Sequence, residues 1–222
     1  MNKNDKPIAT PEWNDEMYRS HATPYTGLAG FIEERRVQSI LAAARISAAD
    51  SILEIGCEAG NLLFRFPACK RTVGFDISPA ALSDAGKLFA GHNKAVELIQ
   101  GDASLPLPFE RGDFSVIVCS EMLEHVPDPH TCVARLAELV DEKTRVILTV
   151  PDEMPKLRIK SILQTFGLMK VLFPRIEAEQ SAWHLQQFDK QKLLSVCEQR
   201  LHVVSVRSIW GLHWIAECCA IA

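Results

Sequence analysis

The sequence lacks any uninterrupted apolar run near the 18 residues that a membrane-spanning helix needs. Residues 1–16 are polar and carry no apolar stretch of the kind found in a secretory signal. Internal repeats and low-complexity tracts are also absent. These absences argue against a helical membrane protein, a repeat array and a secreted precursor, so we expect a cytoplasmic protein.

Cysteine pairs with C-x-x-C spacing are missing as well, although the chain has seven cysteines. The number is odd, and several of these residues stand inside apolar segments. Structural disulfides belong to oxidising compartments, whereas this pattern is typical of reduced thiols in the cytoplasm.

Neither sign of charge dominates, because 24 Lys and Arg stand against 28 Asp and Glu, for a net charge of −4. This balance argues against a protein that coats nucleic acid by bulk charge. The chain is 47% hydrophobic and 23% charged, which excludes a disordered chain, a collagen-like fibre and a coiled coil. We therefore expect one folded domain.

Short apolar segments alternate with helical ones from residue 31 to residue 150. Strands are predicted at 51–55, 72–75, 96–100, 114–119 and 145–150, and helices at 31–45, 61–66, 79–90 and 129–140. This alternation predicts βαβ units with a mostly parallel sheet. Two further apolar segments, 201–208 and 212–220, predict an antiparallel hairpin that closes the sheet.

Two segments lie outside this alternation. Residues 1–30 are interpreted as an N-terminal arm and cap, with 1–16 as a loose arm, and residues 31–222 as a single domain. Residues 151–189 form a predicted substrate-covering insertion, in which 155–175 combine five basic residues with many apolar ones. Such a segment suits an amphipathic acceptor or an anionic membrane surface, and it equally suits a lid helix with a solvated basic side.

The turn after the first predicted strand reads E-I-G-C-E-A-G-N over residues 54–61. In open α/β sheets, ligands bind beyond the carboxyl ends of the strands, and glycines let the backbone come close to them. The spacing fits neither the nicotinamide pattern G-x-G-x-x-G nor the phosphate loop G-x-x-x-x-G-K-[ST]. The turn therefore predicts a ligand site of another kind.

This turn resembles the E/D-x-G-x-G-x-G turn of class I S-adenosylmethionine-dependent methyltransferases. The resemblance continues in order with G-F-D-I-S at 74–78, G-D-A at 101–103, the fourth-strand segment at 113–129 and R-V-I-L-T-V-P at 145–151. It covers about residues 30–220. It implies a Rossmann-like α/β fold with a mostly parallel seven-stranded sheet, a C-terminal antiparallel hairpin and helices on both faces.

The resemblance also implies S-adenosylmethionine as the cofactor. In the family, the acid after the second strand accepts hydrogen bonds from the ribose hydroxyls, and the acid after the third accepts one from the adenine amino group. The cofactor-binding residues expected here are Glu54, Gly56, Gly60, Asp76, Ile77, Asp102, Ala103 and Ser120. Each also has a purely structural interpretation, as a turn glycine, a helix-start acid or a turn residue.

One position departs from the family pattern, because Glu58 replaces the middle glycine of the turn. Its carboxylate either points to solvent, which leaves cofactor binding to the backbone, or crowds the methionine end of the cofactor. The second case weakens binding and favours a protein that has the fold without turnover.

The loop after the fourth strand contains an E-x-x-E-H pattern at residues 121–125. Positions i, i+3 and i+4 share one face of a helical turn, and two carboxylates with an imidazole suit Mg²⁺, Mn²⁺ or Zn²⁺. The pattern resembles the metal site of ubiquinone-pathway O-methyltransferases and of small-RNA 3′-terminal 2′-O-methyltransferases. The latter add a histidine after the fifth strand. The ligands implied for a divalent cation such as Mg²⁺ are Glu121, Glu124, His125 and His184.

Without a metal, His125 and His184 are candidate general bases, because imidazole titrates near neutral pH. Two purely structural interpretations are alternatives to these roles. Glu124 and His125 form a capping or gating pair, and His184 is a helix-start residue or a cover over the cleft.

Together these features predict an S-adenosylmethionine-dependent methyltransferase that acts on a small or amphipathic, lipid-like acceptor at oxygen. Residues 155–175 add a predicted peripheral contact with a membrane. A metal-dependent RNA 2′-O-methyltransferase is the alternative, disfavoured by the net charge and by the lack of an aromatic and basic platform. A non-catalytic cofactor-binding protein is the third possibility. The oligomeric state is not specified by any pattern.

Overall fold

The computed structural model describes residues 9–21, 27–152 and 184–221. Within these ranges the elements follow one another in the order α1 (Pro11–His21), α2 (Gly27–Ala44), β1 (Ser51–Ile55), α3 (Asn61–Arg65), β2 (Arg71–Asp76), α4 (Pro79–Gly91), β3 (Glu97–Gln100), β4 (Val116–Ser120), a 3₁₀ turn (Leu123–His125), α5 (Pro129–Glu138), β5 (Arg145–Pro151), α6 (Lys190–Cys197), β6 (His202–Ile209) and β7 (His213–Cys219).

The seven strands form one sheet in the order β3-β2-β1-β4-β5-β7-β6. Strands β1 to β5 are parallel, whereas β7 runs antiparallel to β5 and to β6. This arrangement confirms the predicted fold class, including the C-terminal hairpin. The strand order changes direction between β1 and β4, which is where an open α/β sheet forms its ligand crevice.

Helices cover both faces of the sheet, so the parallel strands are apolar throughout rather than alternating. On one face, Ile52, Val116 and Ile147 pack against α2, α3 and α4. On the other face, Leu53 and Ile117 pack against α5 and α6. Neighbouring residues of one strand thus serve opposite sides of the core.

Three helices begin at residues whose side chains accept hydrogen bonds from the first turn. Ser78 caps α4, Asp128 caps α5 and Asp189 caps α6. A proline follows directly in α4 and α5, where the missing N–H is not needed. These caps fix where the chain turns from each strand edge into its helix.

The N-terminal region differs from the prediction. Residues 11–16 are not a loose arm, because they begin α1, and Trp13 there is only 6% exposed. The helix is held against α4, since the Tyr18 hydroxyl donates to Asp84 Oδ2 at 2.9 Å and Asp15 accepts from the Ala80 N–H at 3.2 Å. The next helix also starts earlier than predicted, at Gly27 rather than residue 31.

Two further points concern the C-terminal half. Helix α6 was not predicted from the sequence. It directly precedes β6 and leads the chain back to the sheet. Most of the predicted insertion at 151–189, including 155–175, lies outside the described residues. In the parts of the chain that the structure does describe, no helix is long and apolar enough to cross a membrane.

Candidate active site

The glycine turn after β1 is held in a conformation that only small residues tolerate well. Gly56 and Gly60 have φ angles of 76° and 74°, in the left-handed region. A Cβ atom on Gly56 would lie 2.6 Å from Met122 Cγ, and one on Gly60 would lie 2.9 Å from Phe89 Cε2. Both glycines are therefore required by backbone geometry and by packing, which leaves the turn backbone close to the crevice.

The Asp76 carboxylate at the end of β2 is oriented by the turn itself. The backbone N–H of Glu58 donates to Asp76 Oδ2, and the N–H of Ser78 donates to Oδ1, both at 2.8 Å. Burial raises the pKa of Asp76, and these backbone donors oppose that rise. Because Ser78 and not Asp76 caps α4, the carboxylate keeps accepting capacity for a ligand with paired hydroxyl groups.

Three more of the expected residues lie at the same edge of the sheet: Ile77 follows β2, and Asp102 and Ala103 follow β3. Asp102 Oδ1 accepts from the Ser104 N–H at 2.8 Å and from the Ser104 hydroxyl, so Asp102 closes a turn after β3. Ala103 packs on the core, and the Ile77 carbonyl accepts from Gln100 Nε2 at 3.4 Å. These contacts place the three residues beside Asp76, along the ends of β2 and β3.

Arg36 was not predicted as a site residue, yet it is a buried cation of this crevice. It extends from α2 with 8% of its surface exposed, and it donates from Nη1 to the Ser120 hydroxyl and from Nε to Glu33 Oε2 at 2.9 Å. Burial alone would lower the pKa of Arg36, but the carboxylates of Glu33, Glu121 and Glu54 raise it. The guanidinium is therefore a permanent positive charge.

Two of the expected cofactor-binding residues, Ser120 and Glu54, interact with this guanidinium. Ser120 is buried at the end of β4, and its hydroxyl lies 2.8 Å from that of Thr149. Glu54 is buried within β1, and burial raises its pKa well above the usual range, whereas Arg36 and the Leu63 N–H lower it. Glu54 thus supports Arg36 and the start of α3 from inside the sheet.

A second cluster lies beyond β4 and contains three of the four expected metal ligands. One ligand atom from each of Glu124, His125 and His184 lies within 4.8 Å of the other two. The backbone brings them together, because the N–H groups of Leu185 and Gln186 donate to the Glu124 carbonyl at 2.8 and 3.0 Å. A carboxylate oxygen and two imidazole nitrogens form a donor set that divalent metals accept.

Glu121, the fourth expected ligand, lies outside this group. Its φ angle is 53°, and its Oε2 atom lies 3.3 Å from Nε2 of His213. Thr149 donates to its other oxygen at 3.2 Å. His213 has no local signal in the sequence, because it reaches Glu121 only through the antiparallel pairing of β7 with β5.

Comparison with known protein families and curated proteins gives a consistent result. A methyltransferase domain family matches residues 52–143. The ubiquinone biosynthesis O-methyltransferase of Thiobacillus denitrificans is 31% identical over 126 residues, which are 56% of this chain and 54% of that protein. That of Pseudomonas fluorescens Pf-5 is 30% identical over 128 residues, with the same coverage. The chain thus spans about half the length of the curated relatives it matches.

Solved structures share the fold at low sequence identity. A [4+2]-cyclase, SpnF, has a TM-score of 0.73 at 10% identity and covers 96% of this chain and 98% of its own. The geranyl diphosphate C-methyltransferase of Streptomyces coelicolor, in complex with Mg²⁺ and S-adenosyl-L-homocysteine, has a TM-score of 0.64 at 11% identity, covering 87% and 78%. A methyltransferase-like structure from Bacillus halodurans has a TM-score of 0.60 at 19% identity, covering 77% and 71%.

Proposed function

We propose that this chain, whose residues 52–143 match a methyltransferase domain family, transfers a methyl group from S-adenosylmethionine to an oxygen atom of a small-molecule acceptor. The observation that carries the proposal is Asp76, a buried carboxylate oriented by the glycine turn at the point where the strand order reverses. A simple strand-to-helix turn needs no such carboxylate.

The residues present fit this cofactor at both of its ends. Asp76 would accept hydrogen bonds from the ribose hydroxyls, and Asp102 and Ile77 stand beside it for the adenine. Arg36 and Ser120 would hold the amino-acid end, since a guanidinium pairs well with a carboxylate. When bound, the cofactor supplies a methyl group that the positive sulfur activates for transfer.

The protein then has to align the acceptor and take up its proton. A hydroxyl group that receives the methyl group loses its proton, and a neutral imidazole nitrogen of His125 or His184 can accept it. The two rings lie 5.0 Å apart, on the side of β4 away from the adenine-binding edge. Positioning of two bound molecules accounts for most of the rate in such a transfer.

We further propose that Glu124, His125 and His184 hold a divalent cation, with Glu121 as a fourth ligand once it separates from His213. The cation would polarise the acceptor hydroxyl and favour its ionised form. A histidine nitrogen that binds the cation is not available as a base, so the two roles exclude each other. Metal analysis of the folded protein, with activity measured before and after EDTA, distinguishes them.

An apolar, lipid-like acceptor is supported by an exposed surface beside the crevice. Phe31 of α2 and Trp210 of the β6–β7 turn are about half exposed, and their rings meet edge to face at 5.1 Å. This turn lies next to the carboxyl end of β5, because His213, the first residue of β7, is paired with Pro151, the last residue of β5. The curated relatives named above act in ubiquinone biosynthesis, which agrees with an apolar acceptor. Contact of residues 155–175 with a membrane stays a prediction.

The decisive experiment incubates the protein with methyl-labelled cofactor and separate fractions of small metabolites, lipids and RNA. We expect label in the lipid or metabolite fraction, with the Asp76→Asn variant inactive. Label confined to RNA would instead support the RNA alternative. Cofactor binding without transfer to any fraction would refute methyl transfer and favour a non-catalytic role.

A further inference from the structure

Glu58 is the residue at which this chain departs from the glycine pattern of its turn. It adopts a φ angle of 45°, in the left-handed region where a non-glycine residue is strained, and its N–H donates to Asp76. A position that accepts this strain places a carboxylate where the pattern has only a hydrogen atom. The question is what that carboxylate faces.

The Glu58 carboxylate interacts electrostatically with both groups expected to hold opposite ends of the cofactor, Asp76 and Arg36. The residue is exposed to solvent, yet desolvation by neighbouring groups of the protein raises the pKa of Glu58 to about 7. The charges of Asp76 and of Glu33 in α2 raise the pKa of Glu58 further, whereas the charge of Arg36 lowers it. From α1, Tyr18 also interacts with the charge of Glu58.

Acidic groups outnumber basic ones around this position among the described residues. Glu33, Glu54 and Glu58 interact with the charge of Arg36, which is already bound to Glu33, and Asp76 interacts with Glu54 and Glu58. The sulfur atom of the cofactor joins its ribose to its amino-acid part. A molecule held by Asp76 at the ribose and by Arg36 at the carboxylate therefore brings its sulfur close to the Glu58 carboxylate.

We infer that Glu58 makes the crevice select the cationic cofactor S-adenosylmethionine over its neutral product S-adenosylhomocysteine. This inference rests on the proposed function. The two molecules share the adenine, the ribose and the amino-acid part, and they differ by the methyl group and one positive charge at sulfur. A carboxylate beside that atom attracts only the cation, and at a site open to solvent the preference from one charge pair amounts to about fivefold.

The consequence is weaker inhibition by the product. When the methyl group leaves, the positive charge at sulfur disappears, and the attraction to Glu58 disappears with it. Glu58 therefore assists release of the product, at the expense of a strained turn residue.

Isothermal titration tests the inference with three ligands: S-adenosylmethionine, S-adenosylhomocysteine and sinefungin, which carries a cationic amine in place of the sulfonium. The variants are Glu58→Gln and Glu58→Gly, and the control is Glu110→Gln, which removes the same charge from the loop before β4 at the opposite edge of the sheet. For both Glu58 variants we expect the affinity for the two cationic ligands to fall about fivefold and that for the neutral product to stay within about twofold. Glu110→Gln is expected to change none of them.

Equal changes for all three ligands, or an unchanged ratio, would overturn the inference while leaving the proposed function intact. A wild-type protein that binds none of the ligands would refute the proposed function itself. If neither Glu58 variant folds, the wild-type protein still decides the matter through pH. Its preference for the cation must then grow between pH 6 and pH 8 as Glu58 ionises, and a constant preference would contradict the role of this carboxylate.

Discussion

Replacing Arg36 with methionine removes the buried cation of the crevice while keeping a side chain of similar length. The change breaks the hydrogen bonds to Ser120 and Glu33. Ser120 keeps Thr149 as a partner, and Glu33 has 32% of its side chain exposed, so it can regain water. The loss in the free energy of unfolding should therefore be about 2 kcal/mol, below the range seen when a fully buried pair is broken.

The effect on cofactor binding should be larger than the effect on stability. A guanidinium that pairs with a carboxylate contributes about 2–3 kcal/mol, so the dissociation constant for S-adenosylmethionine should rise roughly 30- to 150-fold in Arg36→Met. Arg36→Lys is the matched control, because it keeps the charge without the planar fork, and its loss should be intermediate.

Urea unfolding measures the stability change, and titration calorimetry measures the affinity. If Arg36→Met folds and binds the cofactor within twofold of the wild-type protein, Arg36 has only a structural role, and the assignment of the amino-acid end to this part of the crevice is wrong.

Three further results are expected. Gly56→Ala should lower stability by about 3 kcal/mol in urea unfolding, because the left-handed backbone and the contact with Met122 both oppose a methyl group, and adding Met122→Ala should recover part of the loss; no recovery would remove the contact from the explanation. Trp13→Ala should loosen the packing of α1 and speed tryptic cleavage after Arg19 severalfold, because local unfolding of the helix then exposes that peptide bond to the protease. An unchanged rate would mean that the contacts of Tyr18 and Asp15 are enough to hold α1 in place. His184→Ala should weaken Mn²⁺ binding about tenfold, as followed by electron paramagnetic resonance, whereas the exposed His202→Ala on β6 should not; equal affinities would reject the metal site.

The sheet could be predicted closely because its strands are buried on both faces. Strands β1 to β5 appear in the sequence as short apolar segments, and their bounds differ from the predicted ones by no more than two residues. The positions of the glycine turn and of Asp76 were also predictable. Each stands at the carboxyl end of a strand, and the parallel topology brings those strand ends together.

The remaining features depend on contacts between distant parts of the chain. Helix α1 has few apolar residues beyond Trp13 and Met17, and the hydrogen bond between Tyr18 and Asp84 helps to fix its position. The sequence contains a weak indication that Arg36 is buried, because this residue stands on an apolar helix face between Ile32 and Ile40. His213 had none, because its partner Glu121 is 92 residues away and meets it only in the folded sheet.

Binding of S-adenosylmethionine to the wild-type protein and to Asp76→Asn tests the central claim most directly. The asparagine has the same shape, but its amide N–H groups must face the backbone donors of Glu58 or Ser78, so the variant should fold and bind the cofactor at least about 30-fold more weakly. The account predicts one saturable site per wild-type chain. A wild-type protein that shows no binding at roughly millimolar cofactor, or an Asp76→Asn variant with unchanged affinity, would contradict it.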